Sequence, residues 1–360
     1  MQRPFRLPPI TAKRQRSTDL WVPEYDDGCI VNDCPPIDDW DEQVLDGLEA
    51  SAISFDPDTA FVLDQMPVVR YNDDDFQTWL RGQINICDHL RETRKQCLFP
   101  WEIQKALPNS RTKGKKLYLS QGQRPSCAMH AAVHARHGSL LTSIALGSPH
   151  VYDPTNPIYT FWLAKGQSYR GGMNLAPLAT AVNTLGNYPI SLVGDDNINA
   201  DAKKAKEFAD AAAGQQSGIV LLPTENHKVL ADAIIRCIRA GLGVAIGNGL
   251  RVVGVETDRN GMKIVTLRGG WSHATSFIVY WVVNGVEYIL WVNSHGPRYK
   301  QSRLGEPADC AWMTRALLEE FCKTAKNYGT PFAVLPKSIV LTSGMASDNM
   351  IRVPYPNSIA

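Results

Sequence analysis

The feature that most constrains the fold is a change in the character of the sequence at Gly241. Before this glycine, apolar residues recur at helical spacing, as in 175–185 and in the amphipathic stretch 229–240. After it come short β-branched and aromatic runs, at 244–246, 252–255, 262–267, 276–283 and 287–292. The Asn284-Gly285 pair between the last two runs predicts a tight hairpin. The pattern predicts an α+β fold in which a helical lobe and a β lobe enclose a ligand-binding cleft.

The first 98 residues differ from the rest in charge, with 19 Asp and Glu against 10 Lys and Arg. Residues 17–75 alone carry 17 acidic side chains and one basic side chain, that of Arg70. This composition predicts a weakly structured arm or pro-segment over 1–98, with one helix at 76–97. We expect the acidic segment to dock on a basic surface, either of this chain or of a protein partner in an assembly.

The remaining sequence divides into a main domain and a short tail. The main domain is predicted over 99–345, and the tail over 346–360. Within the main domain, the helical lobe is predicted over about 118–225 and the β lobe over about 226–345.

Composition excludes several classes of function. The chain is 44% hydrophobic and 20% charged with a net charge of +1, which is typical of a globular protein. No apolar run reaches 18 residues and the N-terminus lacks the apolar core of a signal peptide, so we predict no membrane partner and a location in the cytoplasm or within a virus particle. The basic excess over 99–360 is diffuse, so no nucleic-acid partner is predicted. The eight cysteines lack zinc-site spacing, which predicts reduced thiols and neither a metal nor a cofactor.

The run from Ser120 to Ala132 contains a candidate nucleophile. Cys127 follows a Pro-Ser turn and begins an alanine-rich stretch that predicts a helix. The thiolate of a cysteine at a helix N-terminus is stabilised by the positive end of the helix dipole and by backbone N–H groups. Gln121, six residues earlier, can place its side-chain NH2 group beside an oxyanion formed at that sulfur. The run therefore predicts a nucleophile and part of its oxyanion hole.

Two polar residues of the β half supply a base and a residue to orient it. His273 lies 146 residues after Cys127, where a Gly-Gly pair predicts a turn before a strand. An imidazole beside a thiol can take its proton and later protonate a leaving amine. Asn293, 20 residues further on in an Asn-Ser-x-Gly-Pro turn, can accept from the other ring nitrogen and fix the tautomer. A lone histidine is more often structural, but these features in this order predict a Cys-His-Asn site.

These motifs resemble those of papain-like cysteine peptidases over about residues 100–340. The run from Gln121 to Cys127 resembles the family's oxyanion glutamine and nucleophile. The segment Ser272-His273-Ala274 resembles the strand of the base, and Asn293-Ser294-x-Gly296 resembles the turn of the orienting asparagine.

The resemblance extends to the segment Tyr169-Arg170-Gly171-Gly172, which is similar to a Gly-Gly turn whose backbone pairs with extended substrate. It implies a papain-like two-lobe fold with an antiparallel β-barrel-like lobe, and thiol-dependent hydrolysis of peptide or isopeptide bonds in a polypeptide substrate. The resemblance implies catalytic roles for Cys127, His273, Asn293 and Gln121. It also implies contacts with substrate for Gly171, Gly172 and Ser272.

Four positions depart from the family pattern. Arg124 stands where the family has a second cysteine, three residues before the nucleophile, and the position of its disulfide partner is near Tyr169. Ala128 replaces the aromatic residue that follows the nucleophile, and His295 replaces the tryptophan that shields the His-Asn hydrogen bond. The loss of both cysteines fits a divergent, disulfide-free member that folds in a reducing compartment. We expect such a member to be of viral, phage or bacterial origin.

Two alternatives remain open at this stage. His130, His134 and His137 share one face of the predicted Cys127 helix, as metal ligands would, although packed and hydrogen-bonded histidines are favoured. The second alternative is a structural protein of a virion or other assembly, built on a papain-like fold and docking through residues 1–98, with weak or no peptidase activity. A peptidase carried in a particle would satisfy both interpretations.

Overall fold

The computed structural model describes residues 68–107, 117–148, 151–194, 199–296, 299, 302–336, 351 and 353–354. The helices are α1 (Asp74–Glu92), α2 (Pro100–Ala106), α3 (Cys127–Ala145), α4 (Pro157–Ala164), α5 (Leu175–Thr184), α6 (Ile190–Val193), α7 (Ala202–Glu207), α8 (Ala209–Ala213), α9 (His227–Arg239) and α10 (Arg315–Cys322). The strands are β1 (Val68–Arg70), β2 (Thr155–Asn156), β3 (Tyr188–Pro189), β4 (Ser217–Leu221), β5 (Val244–Thr257), β6 (Lys263–Val283), β7 (Val286–Val292), β8 (Cys310–Thr314) and β9 (Phe332–Pro336). The predicted α+β class is confirmed.

A seven-stranded sheet forms the centre of the molecule, in the order β1-β4-β9-β5-β6-β7-β8. All of its neighbouring pairs in that order are antiparallel except β1 and β4, which are parallel. Because β4 lies within the predicted helical lobe and pairs with β9, the sheet crosses the predicted lobe boundary at 225 and 226. A separate two-stranded sheet joins β2 to β3.

Strands β5 and β6 form one long hairpin where the sequence predicts four short strands. The segment Gly269-Gly270 was expected to be a turn before a new strand, and that expectation is wrong because β6 runs through it. The pairing of β5 with β6 instead shifts register between Asn248 and Leu250, at an irregularity beside the glycines. A bulge of this kind absorbs glycines without ending the strand and bends it locally.

Helix α3 runs through the core, and every one of its residues except Ser143 is buried. A helix that is buried on all sides is typical of the centre of a domain. One face lies directly against β6, where a Cβ atom on Gly138 would be 2.1 Å from Cγ2 of Ile278. The glycine therefore sets how closely the helix approaches the strand.

Residues 68–98 are folded, although the sequence assigns them to the weakly structured arm. Strand β1 extends the sheet, and α1 buries an apolar stripe that includes Phe76 and Leu80 in a core cluster shared with α9. Asp88 of α1 also forms an ion pair with Arg239 at 2.5 Å. The helix predicted at 76–97 corresponds to α1, and it was assigned to the arm because the sequence before it is rich in Asp and Glu. Residues 1–67 lie outside the described residues.

Part of the predicted tail packs on the domain. Val353 is buried, and its carbonyl accepts from the amide of Cys97 at 2.7 Å.

Among the residues that the structure describes, none of the helices is both long and apolar enough to cross a membrane.

Candidate active site

Cys127 is the first residue of α3 and follows Pro125 and Ser126, as the sequence predicts. Its side chain is 5% exposed and belongs to the same apolar cluster as Ala274, the neighbour of His273 on β6. The 19-residue helix directs its positive end at this position. The fold therefore supplies Cys127 with the electrostatic environment that favours a thiolate.

His273 and Asn293 form a buried hydrogen-bonded pair. Nε2 of His273 lies 2.9 Å from Oδ1 of Asn293, and each side chain is 2% exposed. The same Oδ1 atom accepts from the backbone N–H of Ser294 at 2.8 Å, which fixes the orientation of the amide. Since an amide oxygen only accepts, Nε2 of His273 is the donor, and in the neutral ring Nδ1 is the basic nitrogen. Asn293 thus sets the tautomer that a general base requires.

The ring of His295 packs against the ring of His273, with centroids 4.4 Å apart and planes 31° apart. His295 is partly exposed while His273 is buried, so the outer imidazole lies between the inner one and solvent. The aromatic cover expected to be lost with the tryptophan is therefore provided by a smaller ring.

The bulge in the β5–β6 pairing adjoins His273. Asn248 is the partner of His273 across the strands, and its Nδ2 atom donates to the His273 carbonyl at 3.3 Å. The register shifts immediately beyond Asn248. Bulges beside active sites direct a side chain that a regular ladder would point elsewhere.

Gln121 is tied to the turn that carries Asn293. Its backbone N–H donates to the carbonyl of Ser294 at 2.7 Å, and its Oε1 atom accepts from Oγ of Ser294 at 2.5 Å. Its Nε2 atom donates to the carbonyl of Arg124 at 2.8 Å. With 3% exposure, the residue is buried and its amide is held between the Arg124 carbonyl and the Asn293 turn. Ser294 was missed as a site residue because only the Asn-Ser pairing in the sequence marks it.

The predicted substrate edge lies beside the same cluster. Gly171 has a φ of +65°, which favours glycine, and the carbonyl of Gly172 accepts from Nζ of Lys165 at 3.0 Å. The flanking Tyr169 and Met173 pack against the apolar cluster of Cys127. The residues on either side of the Gly-Gly segment therefore anchor it to the cluster that contains Cys127.

Ser272 precedes His273 on β6 and is partly buried. Its Oγ atom is buried and makes no hydrogen bond to any of the described residues. The structure gives this hydroxyl no role in the fold of the part of the chain that it describes.

The three histidines of α3 form hydrogen bonds with backbone groups that lie outside the helix. Both ring nitrogens of His137 are engaged, Nδ1 by the carbonyl of Leu117 at 3.0 Å and Nε2 by the amide of Thr155 at 2.9 Å. Nε2 of His134 accepts from the amide of Leu119 at 2.8 Å, and Nδ1 of His130 lies 2.9 Å from the carbonyl of Ser126. No group of three His, Cys, Asp or Glu side chains among the described residues could hold a metal ion. These bonds shape the loops that lead to Gln121 and Cys127.

Burial changes the acidity of these imidazoles and of the other thiols. Desolvation lowers the pKa of His130 to about 4 and that of His137 to about 3, and it lowers the pKa of His134 as well. The same cause raises the pKa of Cys97 to about 12. It also raises the pKa of four further free cysteines, which are Cys87, Cys237, Cys310 and Cys322.

The sequence matches no protein-family model and no curated protein. Among solved structures, the chain is similar to a digestive procathepsin L of the Tenebrio molitor larval midgut, with 12% identity, a TM-score of 0.41 and coverage of 72% of this chain and 90% of that one. It is also similar to a Carica candamarcensis cysteine protease, with 18% identity, a TM-score of 0.40 and coverage of 63% and 95%. A procathepsin B of Trypanosoma congolense matches with 9% identity, a TM-score of 0.41 and coverage of 78% and 87%. The case for catalysis therefore depends on the residues of the site itself.

Proposed function

We propose that this chain is a cysteine peptidase of the papain-like kind. The observation that carries the proposal is the buried hydrogen bond between Nε2 of His273 and Oδ1 of Asn293. The bond holds Nε2 as the donor and fixes the orientation of the ring, as a general base requires. The bond leaves Nδ1 as the nitrogen that can exchange a proton with Cys127.

In the proposed reaction, Nδ1 of His273 takes the proton of Cys127 and the sulfur attacks the carbonyl carbon of a peptide or isopeptide bond. The amide of Gln121 and the backbone N–H of Cys127 donate to the oxyanion. The imidazolium of His273 then protonates the leaving amine, which yields a thioester. Water, deprotonated by His273, hydrolyses the thioester and regenerates the thiol. Extended substrate lies along Gly171 and Gly172.

Peptide turnover and covalent capture test this proposal together. We expect the full chain to hydrolyse members of a fluorogenic peptide library, and a peptidyl vinyl sulfone to label Cys127. Cys127→Ala abolishes both signals and keeps the fold, whereas Cys97→Ala, a matched change at a buried thiol, keeps both. Failure of the vinyl sulfone to label Cys127 in the folded protein would count against the proposal.

A second candidate function is docking in an assembly, and the distribution of charge favours it. Residues 17–67 carry 14 acidic side chains and no Lys or Arg. Because residues 68–98 belong to the folded body, the docking segment narrows to the first 67 residues. We expect a protein partner with a basic surface to bind the full chain and to lose that binding in 0.5 M salt. Binding that persists unchanged when the acidic residues are replaced by Asn and Gln would contradict it.

A further inference from the structure

Arg124 is bonded to the candidate oxyanion residue through its backbone. The carbonyl of Arg124 accepts from Nε2 of Gln121 at 2.8 Å, and the N–H of Arg124 donates to the carbonyl of Gln121 at 3.1 Å. The backbone of Arg124, together with Oγ of Ser294, therefore fixes the direction of the Gln121 amide.

The side chain of Arg124 reaches a different part of the molecule. Its Nη2 atom donates to Oδ1 of Asn199 at 3.0 Å, and its guanidinium carbon lies 5.9 Å from the centroid of the Tyr169 ring. The hydroxyl of Tyr169 accepts from the N–H of Ala200 at 2.5 Å. Arg124, Tyr169 and the pair Asn199-Ala200 thus hold three loops together. We call this set of contacts the Arg124 clamp.

The clamp ends at the candidate substrate edge. Tyr169 lies two residues before Gly171, and Lys165 holds the carbonyl of Gly172 from the other side. Displacement of Tyr169 would shift this edge, and displacement of Arg124 would shift the amide of Gln121.

We propose that Arg124 is a positioning residue that, through Tyr169, fixes the oxyanion loop relative to the substrate edge. The inference depends on the proposed peptidase function. Unlike a covalent link between sulfurs, the clamp is insensitive to reductants, so it holds the two loops in a reducing compartment.

Kinetics of single and double variants test the clamp. Arg124→Ala lowers kcat about tenfold and changes KM less than about threefold, because the Gln121 amide acts mainly on the transition state. In a Gln121→Ala background, the same change causes no further loss of kcat. Arg124→Lys, which keeps the cation without the planar group, restores only part of the activity. Arg81→Ala, at an exposed arginine of α1 whose side chain hydrogen-bonds only locally, to Thr78, among the residues that the structure describes, serves as the matched control and retains full activity.

The Tyr169 arm of the clamp is tested by a double-mutant cycle. Tyr169→Leu combined with Arg124→Ala lowers kcat/KM by less than the product of the two single effects, whereas Tyr169→Phe keeps the ring and most of the activity. Additive effects would overturn the clamp, and so would equal losses in Arg124→Ala and Arg81→Ala. Full rescue by Arg124→Lys would also overturn it, since the charge alone would then suffice.

The same cycle measured by urea unfolding separates this inference from the proposed function. If the wild-type chain has no peptidase activity, the proposed function fails, and with it the positioning role of Arg124. The clamp as a structural contact then stands if the free energies of unfolding couple Arg124 with Tyr169. It fails if they are additive.

Discussion

The imidazole of His295 lies over the imidazole of His273, with the two ring centroids 4.4 Å apart. This contact places a partly exposed ring against a buried pair of candidate catalytic residues. A hydrogen bond is stronger when water is excluded from it. The stacked ring therefore protects the orientation of His273 by Asn293.

Removing this cover is expected to weaken the base. His295→Ala admits water to the bond between His273 and Asn293 and lowers kcat by about fivefold to tenfold with a smaller change in KM. His295→Phe keeps an apolar ring and most of the rate. Steady-state kinetics on a fluorogenic peptide would check this, and equal rates for His295→Ala and the wild type would contradict it.

Replacement of Asn293 is expected to lower both the catalytic rate and the stability of the fold. Asn293→Ala leaves the ring of His273 without its acceptor and lowers kcat by about tenfold or more, while the two donors left buried cost about 1–3 kcal/mol of unfolding free energy. Asn293→Asp keeps the acceptor and most of kcat. Asn183→Ala is the matched control, since Nδ2 of Asn183 donates to the carbonyl of Ser217 at 3.1 Å in a buried position remote in sequence from the site. It should lose stability and keep kcat.

Cys127 is expected to be the most reactive of the six described cysteines. Burial raises the pKa of Cys97 to about 12 and raises that of Cys87 as well, so these groups stay as thiols at neutral pH. Brief treatment with iodoacetamide at pH 7.5, followed by peptide mapping, should find the label on Cys127 first. Faster labelling of Cys97 than of Cys127 in the folded chain would refute the assignment of the nucleophile.

The buried histidines of α3 should make the fold sensitive to acid. Their folded-state pKa values lie below about 6.5, the ordinary value in an unfolded chain, at about 4 for His130 and about 3 for His137. Between pH 6.5 and these lower values, the unfolded chain therefore binds more protons than the folded chain does. Their contribution to stability is complete above pH 6.5 and is lost as the pH falls towards 4 and 3.

The variant His137→Gln isolates one of these groups from the carboxylates that titrate in the same range. Urea unfolding at pH 7, 5.5 and 4.5 should give a dependence on pH that is flatter than that of the wild type by up to about 1.4 kcal/mol per pH unit. Identical slopes would show that His137 is not held neutral by burial.

Two helical glycines form a matched pair for testing the packing of the central helix. Gly138→Ala forces a Cβ atom against Ile278 of the His273 strand and should cost about 1–3 kcal/mol and lower kcat. Gly82→Ala, at an exposed position of α1 with nothing within 4 Å of the added atom, should stabilise the fold by about 0.5–1 kcal/mol and leave kcat unchanged. Urea midpoints of the two variants moving in the same direction would contradict the proposed close packing.

The residues of the candidate site were readable from the sequence because their chemistry is local. Cys127 is marked by its helix start, and Asn293 by its turn. The contacts that position them join polar side chains far apart in the chain, such as Ser294 with Gln121 and Arg124 with Tyr169. Such contacts follow no hydrophobic period, so no pattern in the sequence indicates them.

The fold could be predicted where apolar residues recur at helical spacing over a long, unbroken stretch. The predicted helix at 229–240 corresponds to α9, at His227–Arg239. The hairpin of β5 and β6 was divided into short strands because glycines in a bulge look the same as glycines in a turn. The stripe of α1 was assigned to the arm because composition averaged over 98 residues hides a buried face.

The two bonds between Gln121 and Ser294 have a mechanical consequence for the reaction cycle. They couple the amide that would receive the oxyanion to the turn that carries Asn293, although 173 residues separate Gln121 from Ser294. Any motion that separated Gln121 from the Asn293 turn would have to break both hydrogen bonds, so we expect these two parts of the candidate site to move together. In the proposed reaction, release of a product would therefore leave the Gln121 amide in place relative to Asn293.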